Sequence, residues 1–76
     1  MNDTRRKNLR KLIASLEELK DQLESIKDGE EETRDNMPEN LQGSERYEKA
    51  DNACDCLSDA VDALDEAIES IGYAIE

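Results

Sequence analysis

The chain has 76 residues, with 21 Asp and Glu against 10 Lys and Arg and no His, which gives a formal net charge of −11 at pH 7. This size allows one small domain without an enzyme-like cleft, and the absence of His excludes His-based triads and proton shuttles, so we expect no enzymatic activity and no cofactor. The acidity favours a basic protein partner over direct contact with nucleic acid or an anionic membrane, and with no long apolar run we expect no membrane-spanning segment.

The first predicted element is an amphipathic helix. Its apolar residues follow one another at alternating steps of 3 and 4, the a/d spacing of a coiled-coil seam: Leu9, Leu12, Leu16, Leu19, Leu23 and Ile26. Ile13 widens this seam at the adjoining position e. The helix either stops at Gly29 or continues to about residue 36. Matching its length to the second helix favours continuation, so we predict a helix over about 4–36.

Residues 37–43 are predicted to form a turn. Pro38 cannot continue a helix, and it disfavours helical geometry at Met37 before it. Gly43 adds conformational freedom, and Ser44 is a favourable N-cap for a following helix. We therefore predict a second helix over about 44–75, with Met37 and Leu41 covering the turn end of the seam.

The second helix carries its own unbroken heptad array. Its apolar positions are Tyr47, Ala50, Cys54, Leu57, Val61, Leu64, Ile68, Ile71 and Ile75. When the chain folds back on itself, residue 9 pairs with 71, 16 with 64 and 23 with 57, so apolar residues meet along most of the length. The sequence predicts an all-α, coiled-coil-like antiparallel hairpin of two helices.

A single helical hairpin buries few side chains, so we expect further association. The g positions of the second helix form an alanine stripe that would let another helix approach closely: Ala53, Ala60, Ala67 and Ala74, with Ile13 on the first helix as a further contributor. We predict a homodimer that forms a four-helix bundle. Docking of a different protein on this surface is the alternative.

The two cysteines are not expected to form a disulfide bond. Cys54 and Cys56 are separated by about 200° around a helix and point to nearly opposite sides. A lone Cys-x-Cys without His is also a weak metal-binding pattern. We interpret both as small apolar residues of a protein in a reducing, intracellular compartment.

The outer surface of the second helix is acidic throughout. No basic residue follows Lys49, and five acids on b and f positions form a stripe: Asp55, Asp59, Asp62, Glu66 and Glu69. Asp51 and Asp65 flank the stripe at position e. Like charges at this spacing destabilise a helix by a few tenths of a kcal/mol per pair. The stripe is either a solvated face or an imitation of nucleic-acid charge. A hard-cation site is less favoured, because no calcium-binding loop is present and carboxylates on a regular helix converge poorly on one ion.

Basic residues are concentrated at the start of the chain. Residues 1–11 contain five Lys and Arg against Asp3, a net charge of +4. In the hairpin they lie beside the acidic end of the second helix, so we interpret them mainly as internal neutralisation. A nucleic-acid-binding arm is the less favoured alternative, because the neighbouring helix repels phosphate.

The turn also resembles a known group of proteins. Pro-Glu-Asn-Leu at 38–41 and Ser-Glu-Arg-Tyr-Glu at 44–48 are similar to the turn of small acidic helical-hairpin proteins from phages and prophages of Gram-positive bacteria. The similarity is close in the turn. In the flanking helices it is limited to the presence of heptad repeats. It implies a hairpin shape, a phage origin and a location in the cytoplasm of the bacterial host, and it implies no catalytic residue.

Small acidic phage proteins often inhibit host nucleic-acid enzymes or defence systems by imitating the charge of DNA or RNA. We therefore expect a non-enzymatic inhibitor whose acidic stripe occupies a basic groove of such a target. The alternative is a structural or assembly module that docks a partner through its Ala/apolar face.

Overall fold

The computed structural model describes all 76 residues and confirms the all-α helical hairpin. Helix α1 spans Asp3–Asp35 and helix α2 spans Glu45–Ile75. A single 3₁₀ turn, Glu39–Leu41, lies in the connection between them. The two helices pack against each other along their length, and the Cα positions extend over 59 × 15 × 13 Å. The result is a narrow rod made of two helices.

Both helices begin at a side-chain cap. The side-chain oxygen of Asn2 accepts a hydrogen bond of 2.8 Å from the backbone N–H of Arg5. The hydroxyl of Ser44 accepts one of 3.3 Å from the backbone N–H of Tyr47. Each bond satisfies a donor that has no carbonyl partner within the first turn of its helix. These caps, together with Pro38, set the limits of the connecting segment.

Helix α1 continues through Gly29. This glycine has ordinary negative φ, and the Thr33 hydroxyl donates a 3.0 Å hydrogen bond to its carbonyl oxygen. Glycine within a helix costs about 1 kcal/mol relative to alanine. That cost is small beside the packing of a further turn and a half of α1 against α2, which brings Arg34 opposite Asp51.

The face of α1 that packs on α2 differs from the predicted seam. Leu9, Leu16 and Leu23 are half-buried, as the heptad pattern predicts. The other half of that pattern is wrong, because the d-position residues remain 48–64% exposed: Leu12, Leu19 and Ile26. Position e lies against α2 in their place. The residues at this position are half-buried: Arg6, Ile13, Lys20, Lys27 and Arg34. Helix α1 is thus turned by roughly 50° about its axis relative to the prediction.

Two ion pairs between the helices accompany this rotation. Lys20 Nζ lies 2.7 Å from an Asp65 carboxylate oxygen, and Arg34 Nη1 lies 2.9 Å from one of Asp51. The two cations are 14 residues apart on α1, and the two carboxylates are 14 residues apart on α2. The pairs therefore lie on the same flank of the hairpin, four helical turns apart, and hold the helices in one register.

Very little of the hairpin is buried. The only buried side chains are Ala50, Cys54 and Val61, all on α2. At the turn end Met37 and Tyr47 are half-buried, whereas Leu41, expected to cover that end, is 43% exposed. Leu41 lies outside both helices, where no neighbouring helix can cover it. The hairpin has a seam of half-covered side chains and almost no closed core.

Candidate protein-binding surfaces

The two broad faces of the hairpin differ in charge. In an antiparallel pair, equivalent e positions of the two helices lie on the same face, and the Lys20–Asp65 and Arg34–Asp51 bridges mark that charged face. The opposite face holds positions d and g of α1 and positions g and c of α2. The acidic stripe lies on neither broad face, because positions b and f point away from α1 along the outer edge of α2.

The structure divides the seven predicted acidic-site residues into two groups. Asp51 and Asp65 lie next to the interhelical seam and are neutralised by Arg34 and Lys20. The remaining five are exposed and take part in no salt bridge: Asp55, Asp59, Asp62, Glu66 and Glu69. One of the five, Glu69, accepts a 3.2 Å hydrogen bond from the Tyr73 hydroxyl. The stripe is therefore a continuous edge of five free carboxylates.

The bridging cations are held firmly in their charged form. The hydrogen bond to Asp65 raises the pKa of Lys20 above its ordinary value. Hydrogen bonds to Asp35 and then Asp51 raise the pKa of Arg34 in the same way. These cations therefore compensate the flanking acids across the physiological pH range, and the five-residue stripe has no such compensation.

The face opposite the ion pairs carries no charge over most of its length. We call it the uncharged face and define it by the d and g positions of α1 over 8–29 and the g and c positions of α2 over 53–74. Its α1 residues are Asn8, Leu12, Ser15, Leu19, Gln22, Ile26 and Gly29, and its α2 residues are Ala53, Cys56, Ala60, Ala63, Ala67, Ser70 and Ala74. Three large aliphatic side chains thus stand in a row beside a stripe of alanine.

The residues on this face differ in part from those predicted for the oligomer face. Ala53 and Ala60 are half-buried at the edge of the seam, and Ala67 and Ala74 are exposed. Ile13 does not belong to the face, because the rotation of α1 carries it into the seam against α2. Leu12, Leu19 and Ile26 belong to this face, whereas the heptad pattern placed them in the seam. The signal that could have revealed them is the seven-residue spacing of Lys20, Lys27 and Arg34, with acids at equivalent positions of α2 opposite the first and the last of them.

The cysteines occupy different environments. Cys54 is buried in the seam, and this burial raises the pKa of its thiol. Cys56 is exposed at the outer margin of the uncharged face. Because the thiolate is the reactive form, Cys54 is the less reactive of the two.

Part of the basic N-terminal cluster serves the hairpin itself. Arg6 Nε donates a 3.1 Å hydrogen bond to the carbonyl oxygen of Ile75, which the last turn of α2 leaves without a helical partner. A cation at this position also opposes the negative end of the α2 dipole. The rest of the cluster is exposed and forms no salt bridge: Arg5, Lys7, Arg10 and Lys11.

The hairpin shows no pocket, and no group of three or more acidic or cysteine side chains is gathered to hold a metal ion. Neither helix contains a stretch long and apolar enough to cross a membrane. Comparison with known proteins found no matching family model, no matching curated protein and no matching solved structure.

Proposed function

We propose that this chain is a non-enzymatic, protein-binding inhibitor that presents its acidic stripe to a basic, nucleic-acid-binding groove of its target. The observation that carries the proposal is the contrast between the two groups of acids on α2. Asp51 and Asp65 are neutralised within the hairpin, and the five stripe carboxylates are exposed with no cation beside them. Such an edge is available for cations supplied by another protein.

The spacing of the stripe suits a groove that binds nucleic acid. From Asp55 to Glu69 the carboxylates rise by about 5 Å each along the helix axis. The phosphates of one DNA strand rise by about 3.4 Å each. The stripe is therefore a straight rod of negative charge, somewhat less dense than a DNA strand.

The proposed setting is the cytoplasm of a bacterial host cell, with the chain encoded by a phage. The turn motif resembles that of phage hairpin proteins, and two free thiols suit a reducing compartment. In this setting the target is a host defence protein or a nucleic-acid enzyme, the class of protein that carries basic grooves.

Charge reversal with a matched control tests the proposal. The tagged protein is used to capture proteins from bacterial lysate, and these are eluted with rising salt and with competing duplex DNA. We expect a nucleic-acid-binding protein to be released by both, and we expect Asp59→Lys, Asp62→Lys and Glu66→Lys together to abolish its capture. The control reverses three exposed acids of α1, Glu17, Asp21 and Asp28, with the same change in net charge.

Equal loss in both triple variants would show that only net charge matters, and unchanged capture by the stripe variant would end the proposal. Capture that survives both high salt and DNA competition would also contradict it, because a complex led by exposed charge weakens steeply as salt screens it.

A second candidate function is a structural module that docks a helix of another protein on the uncharged face. The exposed aliphatic row of Leu12, Leu19 and Ile26 favours it. Here Ala60→Glu or Ala67→Glu abolishes partner binding, charge reversal on the stripe has little effect, and the complex resists salt.

A further inference from the structure

We propose that a second copy of this chain covers the uncharged face, and that the two hairpins form a four-helix bundle with their turns at opposite ends and a two-fold axis near Leu19. In this arrangement each α1 lies antiparallel to the α1 of the other copy. Leu19 then faces its own counterpart, and Leu12 faces Ile26 of the other copy. The inference rests on the uncharged face and on the charges at the two ends of α1, and it does not depend on the acidic stripe.

The first argument is that the rotation of α1 exposes more apolar surface than the ion pairs can compensate for. Leu12, Leu19 and Ile26 are about half exposed or more, in line along one helix face. Burial of such side chains is a large stabilising effect, whereas exposed ion pairs contribute little. A hairpin with only three buried side chains therefore gains stability when these three residues are covered.

The second argument is the size of the face. The uncharged face runs over 22 residues of each helix, about 33 Å at 1.5 Å per residue, and with a width of 15 Å between outermost Cα atoms it covers roughly 500 Å². A protein–protein interface of standard size buries about 800 Å² on each partner. The uncharged face therefore supplies more than half of a standard interface, and two such faces reach the total of about 1,000 Å² that a biological interface needs.

The third argument is charge complementarity between the ends of the two α1 helices. Residues 1–11 carry a net charge of +4, and residues 28–35 carry five acids and one arginine, a net charge of −4. A two-fold axis near Leu19 places the first segment of each copy beside the second segment of the other. The same axis places α2 over α2 of the other copy, so both acidic stripes lie along the same edge of the bundle, where positions b and f point outward and away from the interface.

The oligomeric state of the purified chain tests this inference. We expect sedimentation velocity to give a mass of 17.2 kDa, twice the 8.6 kDa of one chain. We expect Leu19→Lys to lower that mass to 8.6 kDa, because it places two like charges at the axis. Ala14→Lys, which adds the same charge at an exposed position on the other side of α1, should remain dimeric. A native mass of 8.6 kDa at all accessible concentrations would overturn the proposal, and so would a Leu19→Lys dimer.

Cross-linking supplies a second measurement in case Leu19→Lys also loses helix content. In a background of Cys54→Ala and Cys56→Ala, Leu19→Cys should give a covalent dimer with a short bismaleimide reagent. Ile26→Cys should not, because in this geometry its two copies are separated by about 21 Å along the bundle. Equal cross-linking of both variants, or none of either, would contradict the proposed axis. A wild-type chain that is monomeric yet shows salt-sensitive target capture would refute this inference alone and leave the proposed function standing.

Discussion

Lys20 on α1 and Asp65 on α2 form a 2.7 Å salt bridge near the middle of the hairpin, at position e of both helices, beside the a/d seam that the heptad pattern predicts. The bridge accompanies a rotation of α1 that brings position e against α2. Position d then turns outward, and Leu19 becomes 54% exposed. The polar contact of Lys20 is thus accompanied by the exposure of its neighbour Leu19. Along α1, position e is likewise half-buried while the position-d residues Leu12 and Ile26 are exposed.

The Lys20–Asp65 bridge predicts a specific pH dependence of stability. Because Asp65 raises the pKa of Lys20, the stabilising contribution is complete below the ordinary lysine value of 10.5 and is lost as the pH rises through the higher folded value. We expect the melting temperature to fall more steeply above pH 10.5 in the wild type than in Asp65→Asn. Thermal unfolding followed by circular dichroism checks this, and parallel curves for the two proteins would contradict it.

Val61 is the largest buried side chain, and its truncation should destabilise the hairpin. Val61→Ala removes two methyl groups from the seam and is expected to lower the free energy of unfolding by about 2 kcal/mol. The control is Leu41→Ala, a larger truncation at an exposed turn position, for which we expect a loss of about 1 kcal/mol or less. Urea unfolding at one fixed protein concentration measures both free energies. A greater loss for Leu41→Ala would show that packing around Leu41 stabilises the hairpin more than packing around Val61.

Ser44 is expected to determine where α2 begins. Ser44→Ala removes the hydrogen bond from the Tyr47 backbone N–H and should cost about 1 kcal/mol of stability. Ser70→Ala removes the same hydroxyl group at an exposed position within α2, away from the cap. It is expected to be neutral or slightly stabilising, because alanine is the better helix former. Chemical denaturation distinguishes the two, and equal effects would argue against the cap.

The two thiols should react at different rates. Cys56 is exposed and Cys54 is buried with a raised thiol pKa, so we expect iodoacetamide to modify Cys56 first and Cys54 only after unfolding. Mass spectrometry of the folded and the urea-unfolded protein measures this order. The Cys56→Ala variant should resist the reagent when folded, and rapid labelling of that variant would show that the seam opens readily.

The acidic stripe could be identified from the charge pattern alone. The residues on the outer edge of α2 follow from the heptad positions of that helix, without reference to α1. The exposure of Asp55, Asp59 and Glu66 required no knowledge of α1. The neutralisation of Asp51 and Asp65 could not be assigned in the same way, because their cations come from the other helix. The site that the sequence predicts as seven equivalent acids is therefore five free carboxylates with two paired neighbours.

The sequence by itself determined the two helices, the turn between them and the seam face of α2, since helix propensity, Pro38, the Ser44 cap and heptad spacing all act locally or along one helix. Only the tertiary structure decided which face of α1 meets α2. Two overlapping patterns compete there, the leucines at position d and the cations at position e, and both are compatible with a helix. Their ranking depends on the positions of Asp51 and Asp65 across the seam, which are fixed only when the two helices come together. That choice turned Leu12, Leu19 and Ile26 outward and created the uncharged face.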